Sequence, residues 1–545
     1  KKMRILHVHR HTYIKAHQKS QEELLQQDDN YREFYENIMK NGLTMSTSPK
    51  HVIIVGAGIS GLVAAYELER AGHKTTILEL SNRVGGRMKT LHEFPSGLHA
   101  EGGAMRIPPN HFLTKHYIKL FDIKTVPFVN WNDKALLYFN GETPITLKDW
   151  IQNNKYWTEH FWKGWDSGIE KENIQGIDDL YKRTIQQVSD EIRKDHTKAG
   201  WERWVKKWSK MSMLEFFRSD CNPPKKSQGP MLRPWTEKAI LAFKVSGYRP
   251  LLEMNMVDYL REELGGWWSH DLEAPADGMS ALPEALIKPN KYNDVELQKR
   301  IHFGVKVEKI RVSEDGNRVK VKGRNATSGK IDPYEGDAVI LALPLTILRQ
   351  LNLPWTHIGQ EALADITYEP STKILMQFRQ RFWQTDIGQG GFTVTDLPIG
   401  QLHYPGWDEN GVTSDDRGIL LSYTWGQDAL IFGAQSHDQA VASALRQVCE
   451  IHPEASKYFE RGVVQSWFGD SMAQGAYAAF RPFEYNNHFE TLSNPRHPVY
   501  LAGEAISWAN GWVQGALKSG LDAAYKFYKF NEENAQPPTK RQRMQ

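Results

Sequence analysis

The feature that most constrains the fold of this chain is a strand, a glycine turn, a helix and a second strand between residues 51 and 79. In order, the segment contains the β-branched run His51–Val55, a GxGxxG turn at Gly56, Gly58 and Gly61, the helical stretch 62–71 and the strand-like run Lys74–Leu78. Such a turn lets a pyrophosphate approach bare backbone at a helix N-terminus, where unpaired N–H groups favour an anion. Glu79 follows 18 residues after Gly61, where a carboxylate can accept both ribose hydroxyls of an adenosine. The segment predicts a Rossmann-like βαβ unit that binds a dinucleotide.

Three later segments favour a flavin over a nicotinamide dinucleotide. The run Arg83-Val84-Gly85-Gly86-Arg87 adds a second glycine approach and two guanidinium groups along an extended cofactor. Near the C-terminus, Gly503 and Glu504 follow a short strand, and the acid is placed to hold a ribityl hydroxyl. The segment 511–515 opens the last helix, whose N-terminus would stabilise the negative charge of a reduced flavin pyrimidine. Because no cysteine lies near 511–515, we expect the flavin to be bound without a covalent link.

Length and charge exclude several classes of protein. At 545 residues the chain is long enough for about three or four domain-sized units. The 68 Lys and Arg residues nearly balance the 65 Asp and Glu residues, so no strong field favours nucleic acid or an anionic membrane. The longest apolar run, near 338–345, is too short to span a bilayer, and the N-terminus begins with lysines instead of an apolar leader. We expect a cytoplasmic protein, or a secreted one if a leader has been removed.

Metal and disulfide chemistry are not predicted. The two cysteines, Cys221 and Cys449, lie far apart and form no CxxC pair, which indicates buried thiols rather than a metal site. His7, His9 and His11 alternate, but no second cluster completes a ligand set. We therefore expect no metal.

The strand and helix patterns predict an α/β protein with a Rossmann-like FAD-binding domain assembled from discontinuous segments, a mixed-sheet substrate domain and a helical insertion. The predicted boundaries are an N-terminal arm at 1–48, an FAD-binding domain at 49–86, 275–345 and 495–530, a substrate-binding domain at 87–146 and 346–494, a helical domain at 147–274, and a disordered tail at 531–545.

These motifs resemble those of the flavin-dependent L-amino acid oxidases, in their venom-type and bacterial forms, within the wider monoamine oxidase superfamily. The resemblance covers most of residues 30–130 and 275–530. It is carried by 41–51, the GxGxxG-to-GGR unit, Gly103-Ala104-Met105-Arg106-Ile107-Pro108, Ala276-Asp277-Gly278-Met279, Leu282-Pro283, Thr372-Lys373-Ile374 and His403-Tyr404-Pro405. The helical insertion matches poorly, as do Tyr477, where aliphatic residues also occur, and Gln514, where an acid is common.

The substrate class depends on Arg106. Amine oxidases of the superfamily carry no arginine in this stretch, whereas an α-amino acid brings a carboxylate that suits a bidentate, permanently charged partner. The resemblance implies that Tyr404 donates to the same carboxylate, that the Gly511 carbonyl accepts from the substrate amino group, and that Tyr477 and Trp512 line the cavity.

Lys373 and Arg106 are the predicted catalytic residues. Lys373 lies in an apolar strand where a lysine is costly to bury, which suggests a function, and the resemblance implies that it holds a water near flavin N5. The motifs and the resemblance together predict flavin contacts from Gly56, Gly58, Ile59, Ser60, Gly61, Glu79, Arg83, Gly86, Arg87, Gly103, Ala104, Met105, Arg106, Val307, Trp467, Gly503, Glu504, Gly511, Trp512 and Val513.

The resemblance implies oxidative deamination of an L-amino acid to a 2-oxo acid, with ammonia and hydrogen peroxide as the other products. The aromatic residues Trp467, Tyr477, Trp508 and Trp512 favour apolar or aromatic substrates. Three alternatives remain: a monooxygenase that forms an amide, an amine or polyamine oxidase, and a flavin-binding protein without activity. The expected partners are an L-amino acid and oxygen, and a homodimer or higher homo-oligomer is possible.

Overall fold

The computed structural model describes residues 31–94, 97–167, 174–195, 197–219, 234–268, 271–289, 291, 295–354, 357–405, 416–494 and 497–535. The strands are β1 (His51–Val55), β2 (Lys74–Leu78), β3 (Thr90–Leu91), β4 (Ala100–Glu101), β5 (Thr125–Phe128), β6 (Leu136–Tyr138), β7 (Ile145–Thr146), β8 (Leu272–Pro275), β9 (Ile301–His302), β10 (Val305–Val312), β11 (Val319–Asn325), β12 (Ile331–Gly336), β13 (Ala338–Leu341), β14 (Tyr368–Glu369), β15 (Ser371–Phe378), β16 (Phe392–Thr395), β17 (Gln401–His403), β18 (Gly418–Trp425), β19 (Phe459–Ser466), β20 (Tyr477–Ala478) and β21 (Val499–Leu501). The α-helices are α1 (Tyr31–Asn41), α2 (Ile59–Arg70), α3 (Phe112–Leu120), α4 (Leu147–Gln152), α5 (Asn154–Phe161), α6 (Ile177–Lys194), α7 (Lys198–Trp208), α8 (Met213–Arg218), α9 (Glu237–Ser246), α10 (Met256–Leu264), α11 (Ala281–Leu286), α12 (Leu345–Leu348), α13 (His357–Asp365), α14 (Gly426–Gly433), α15 (His437–Ile451), α16 (Ala455–Tyr458), α17 (Glu490–Ser493) and α18 (Val513–Ala535).

A parallel sheet gathers strands from distant parts of the chain, in the order β21-β13-β1-β2-β9. Every residue of β13 is buried, and so are four of the five in β1, because both faces of the sheet are covered. Helix α2 is buried over ten of its positions and packs against α18, where Gly520 lies against the Ser60 carbonyl. The βαβ unit predicted from the sequence is therefore present, with its two strands at the predicted residues.

Two further sheets complete the β structure near the site. Strands β10, β11 and β12 form an antiparallel sheet whose alternating burial reflects one covered face. A mixed sheet runs in the order β19-β15-β18-β17-β16-β6-β7, with β16 and β6 parallel. Its strand β15 is buried at all eight positions, so Lys373 lies in the interior as predicted.

Helices α4 to α10 form the helical insertion. Helix α6 buries residues at spacings of three and four, from Ile177 to Ile192, because one stripe of an amphipathic helix faces the core. Side-chain caps at Thr146, Ser212 and Thr236 accept backbone N–H groups and fix where three of these helices begin.

The C-terminal helix is longer than predicted. It continues to Ala535, because Asn531 is buried and donates to the Ser48 carbonyl while Glu532 accepts from Ser46 and Thr47. The prediction of a disordered tail is therefore wrong for 531–535. The remainder, 536–545, lies outside the described residues, as do Cys221 and the histidines at 7, 9 and 11.

Two kinds of feature are absent from the described residues: a membrane-spanning helix and a cluster of metal ligands. No helix there is long and apolar enough to cross a lipid bilayer. No group of three or more histidine, cysteine or acidic side chains there is arranged to hold a metal ion.

Candidate active site

The glycine turn after β1 forms an open cradle at the start of α2. Gly56 has a φ of 101°, which is unfavourable for other residues, and a Cβ at Gly61 would overlap the Gly56 carbonyl oxygen. A Cβ at Gly58, in contrast, would meet no atom within 4 Å, and no side chain caps the helix there. Ile59 and Ser60 begin the helix, so the first N–H groups of α2 face a space that suits a pyrophosphate.

Glu79 ends β2 beside this cradle. Its carboxylate accepts from the backbone N–H groups of Ala57, at 2.7 Å, and Ser81, at 2.8 Å. Val305 donates its backbone N–H to the Glu79 carbonyl, and Val307 lies two residues further along β10. The carboxylate is thus held at the position predicted for ribose recognition.

The arginines of the second glycine segment bond to the protein itself. Arg83 donates to the carbonyls of Val84, Gly86 and Met88, and these bonds stabilise the loop that contains it. Gly86 has a φ of 56° and lies against Gly58, which brings the two glycine segments together. This loop therefore forms part of the cradle as predicted, with the Arg83 guanidinium engaged by backbone.

A buried ion pair connects this loop to the C-terminal segment. Arg87 Nη1 lies 2.7 Å from Glu504 Oε1, and the other Glu504 oxygen accepts from the Gly511 N–H at 2.8 Å. Gly503 and Gly511 both have positive φ angles, 143° and 79°, which let the chain turn into α18. The pair fixes the entrance to α18, and Val513 is the first residue of that helix.

A cavity of about 550 Å³ lies between the mixed sheet and the helical insertion. Tyr477, Gly511 and Trp512, three of the residues predicted to bind substrate, line this cavity. The sheet contributes Leu137, Phe392, Val394, Gln401, Tyr423 and Trp425, and the insertion contributes residues from α4, α6 and α10 and the segment after α9. The volume suits a small molecule with an apolar body.

Arg106 lies behind the cavity wall, in contact with two residues that line the cavity. It is 8% exposed, its Nη1 donates to Asn130 Oδ1 at 3.1 Å, and its guanidinium carbon lies 4.3 Å from the ring centroid of Trp268. Asn130 and Trp268 both line the cavity. Burial lowers the pKa of Arg106, and within the described parts of the chain no carboxylate forms an ion pair with it. A buried guanidinium in such surroundings has the chemistry to bind an anion.

Lys373 ties the sheet to the segment that leads into Arg106. Its ammonium donates to the carbonyls of Gly103, at 2.7 Å, and Glu101, at 3.0 Å, and lies 3.3 Å from the sulfur of Met105. The Ala104 N–H bonds to the Arg87 carbonyl, which holds the same segment from its other side. Burial lowers the pKa of Lys373, and burial raises the pKa of the nearby Glu101 carboxyl.

The structure does not bring Tyr404 to the cavity. Its ring is fully buried in the core cluster on the opposite face of the mixed sheet, and its hydroxyl bonds to Thr393, at 2.7 Å, and His452, at 2.8 Å. Successive residues of a strand point to opposite faces, so it is His403 that shares the cavity face with Gln401. The prediction that Tyr404 donates to a substrate carboxylate is therefore corrected.

His403 was missed by the sequence analysis. Its Nε2 lies 3.0 Å from Gln401 Oε1, and burial together with the charges of Arg106 and Lys373 holds the pKa of His403 well below its usual range. The His403 ring lies 4.8 Å, between centroids, from that of Phe392, which lines the cavity. The signal available in the sequence was its position next to Tyr404 in the His-Tyr-Pro motif.

The predicted tryptophans divide into two groups. Trp512 lines the cavity, and its Nε1 donates to Glu262, which also accepts from Trp268. Trp467 instead donates to the Gly102 carbonyl at 2.9 Å and lies against Gly103, outside the cavity wall. Trp508 packs on Tyr485, Phe489 and Trp201, away from the cavity, so its predicted place in the wall is wrong.

A buried network joins the helical insertion to the segment before α18. Arg261 of α10 pairs with Asp258 at 3.0 Å and donates to the carbonyls of Trp508 and Asn510, each at 2.8 Å. Asp258 in turn accepts from the Asn510 amide and the Tyr485 hydroxyl. These bonds fix Gly511 relative to both sides of the cavity.

Comparison with known proteins identifies the family of this chain. The pattern of the flavin-containing amine oxidoreductases matches residues 59–526, and the chain belongs to that family. It is 28% identical to a putative L-amino-acid oxidase, YobN, of Bacillus subtilis (strain 168), covering 90% of this chain and 97% of that protein. It is also 28% identical to an L-amino-acid oxidase of Crotalus adamanteus, over 93% of this chain and 92% of that one.

The fold comparison gives the same class. A putrescine oxidase variant with redesigned cofactor binding superposes with a TM-score of 0.63, at 16% identity, over 90% of this chain and 100% of that chain. The predicted fold class is confirmed, and the protein is a flavin-dependent oxidoreductase.

Proposed function

We propose that this protein is an L-amino acid oxidase that binds FAD without a covalent link. The observation that carries the proposal is Arg106, a buried guanidinium that donates to Asn130 just behind the cavity wall. An amine substrate offers nothing to such a group, whereas the α-carboxylate of an amino acid matches its fork of N–H donors.

Several residues would position the substrate for oxidation. Arg106 would hold the α-carboxylate, and the Gly511 carbonyl would accept from the amino group, which must be neutral for its lone pair to assist removal of the Cα hydrogen. Lys373 would hold a water close to the reacting atoms. We assign the final proton acceptor to solvent, because no side chain stands out as a base. A bound flavin would supply the two-electron acceptor, with oxygen as the final oxidant.

The cavity walls support a preference for apolar or aromatic side chains. Tyr423, Trp425, Tyr477 and Trp512 all line the space, and large rings bury apolar surface with little loss of conformational freedom. The Trp268 ring, which lies against Arg106, would cover one side of the carboxylate site.

Anaerobic mixing of the flavin-loaded protein with L-amino acids, D-amino acids and simple amines tests the proposal. Bleaching of the flavin by L-amino acids alone is expected, followed by a 2-oxo acid, ammonia and hydrogen peroxide on admission of air. An amide with carbon dioxide would indicate the monooxygenase instead. Reduction by amines but not by amino acids would overturn the assignment, and an unbleached flavin throughout would indicate a binding protein without activity.

A further inference from the structure

We infer that Arg249 forms a second anion site in the same cavity, which binds the distal carboxylate of an acidic L-amino acid. The inference rests on the proposed function and deepens it, because it adds a substrate class to the apolar and aromatic ones. It concerns the wall supplied by the helical insertion, the part of the chain that matches the known family least.

The backbone around Arg249 is fixed by its neighbour. Tyr248 has a φ of 45°, which is unfavourable for a bulky residue, and its hydroxyl donates to Asp428 at 3.1 Å and accepts from the Trp425 N–H at 3.2 Å. The Tyr248 ring also occupies the space where a side chain at Gly400 would stand. Such strain persists only where the surrounding structure enforces it, so Arg249 is held in place next to the cavity that it lines.

The Arg249 guanidinium has few partners in the protein. It lies 4.2 Å from the ring centroid of Phe243 and 5.5 Å from that of Tyr181, and its best acceptor is the Phe243 carbonyl, at 3.5 Å. Nowhere in the described ranges does a carboxylate pair with it. An arginine offers five N–H donors, so most of them remain available to a ligand in the cavity.

The two nearest carboxylates have other partners. Asp178 accepts from the Trp150 indole at 3.0 Å and from the Asn154 amide at 3.1 Å. Glu263 accepts from the Tyr181 hydroxyl at 2.6 Å, and burial raises the pKa of its carboxyl, which weakens it as a counter-charge. The pKa of Arg249 is raised despite its burial, by the charges of Tyr259, Asp178, Tyr181 and Glu263. Because none of these groups hydrogen-bonds to its guanidinium, the unused N–H donors can still take an anion that enters the cavity.

Arg249 lines the cavity, whereas Arg106 lies behind its wall at Asn130 and Trp268. Arg106 lies beside Tyr423, whose ring is 4.0 Å from Trp425, and Trp425 lies 5.5 Å from Tyr248, the residue before Arg249. A row of aromatic rings therefore separates them. A substrate with a carboxylate at each end would place its α-carboxylate on Arg106, its carbon chain along the rings and its second carboxylate on Arg249.

Steady-state kinetics of the flavin-loaded enzyme test this inference. L-glutamate and L-2-aminoadipate are compared with L-glutamine and L-norleucine, and L-leucine reports on the unaltered reaction. In the wild type we expect at least one acid to exceed its neutral counterpart in kcat/KM. Arg249→Met should lower kcat/KM for that acid by about 100-fold, the value of one or two charge-assisted hydrogen bonds, and change that for L-leucine by less than about 3-fold.

Two controls separate the outcomes. Arg311→Met, on the exposed face of β10, should leave all substrates unaffected. Glutarate, which cannot be oxidised, should bind the wild type and bind Arg249→Met at least about 10-fold more weakly, measured from the flavin spectrum. Acids that are no better than their neutral counterparts, or an equal loss for acids and leucine, would overturn the inference. If no amino acid reduces the flavin, the proposed function fails, and glutarate binding still decides whether Arg249 binds a carboxylate. If Arg249→Met does not fold, the comparison of acidic with neutral substrates in the wild type decides whether the inference stands.

Discussion

Replacement of Arg106 by methionine should separate catalysis from stability. In the folded protein the guanidinium is buried, bonds to Asn130 and has no carboxylate partner in the described part of the chain. The desolvation of such a charge costs several kcal/mol, while one neutral hydrogen bond returns about 1 kcal/mol. Methionine fills a similar space without the charge. The free energy of unfolding of Arg106→Met should therefore equal or exceed that of the wild type.

The same substitution should lower kcat/KM strongly, although it does not lower stability. Two charge-assisted hydrogen bonds to the α-carboxylate are worth about 3–6 kcal/mol together, which corresponds to a loss of about 100- to 10,000-fold in kcat/KM. Arg106→Lys keeps the positive charge but loses the forked pair of N–H donors, so its kcat/KM should lie between those of the wild type and Arg106→Met. The assays are anaerobic flavin reduction by L-leucine and thermal unfolding of the same preparations. Retained turnover, or a loss of activity together with a marked fall in the unfolding temperature, would refute the reasoning.

Three further predictions concern the cradle, the sheet and pH. Gly58→Ala should fold normally, because its Cβ enters open space, yet bind flavin more weakly. Gly61→Ala should instead destabilise the apoprotein, because its Cβ overlaps the backbone. Flavin titration and thermal unfolding of the two apoproteins distinguish these effects. Tyr404→Phe should lower the free energy of unfolding by about 1–2 kcal/mol and leave the KM for L-leucine unchanged, while His403→Phe should alter KM; the reverse pattern would restore Tyr404 as a substrate ligand. Burial, aided by the Arg261 charge, lowers the pKa of His111 from its usual 6.5 to about 3. Between pH 6.5 and pH 3, His111 is therefore protonated in the unfolded chain but not in the folded one. Stability should therefore fall as pH falls through this window, and His111→Phe, which keeps the ring contacts with Trp267 and Trp512, should show a smaller fall in melting temperature; equal falls would contradict the assignment.

Local sequence signals were sufficient for the cofactor cradle but not for the substrate site. The glycine turn and Glu79 belong to one short segment, whose β-branched strands and helix form from neighbouring residues, so the sequence predicted their positions well. The choice between His403 and Tyr404 depends instead on which face of β17 is covered, and that is decided by the pairing of Gln401 with Tyr423. A motif match alone does not contain this information.

The helical insertion was the least predictable part for a related reason. Arg249 is placed by Tyr248, whose contacts with Gly400 and Asp428 join residues some 150–180 positions apart. Helix periodicity is clear in α6, but it does not report which loop between helices faces a cavity. Trp268 and Asn130 likewise gained their significance from contact with Arg106.

The bond between Arg261 and the Trp508 and Asn510 carbonyls bears on how such a scaffold could change over time. Because α10 is anchored to the backbone that leads into the last helix, an exchange of loops elsewhere in the insertion would leave the reacting groups undisturbed. Substitutions in the segment after α9 could then change which substrate side chains are preferred, while the residues around the reacting atoms stay the same.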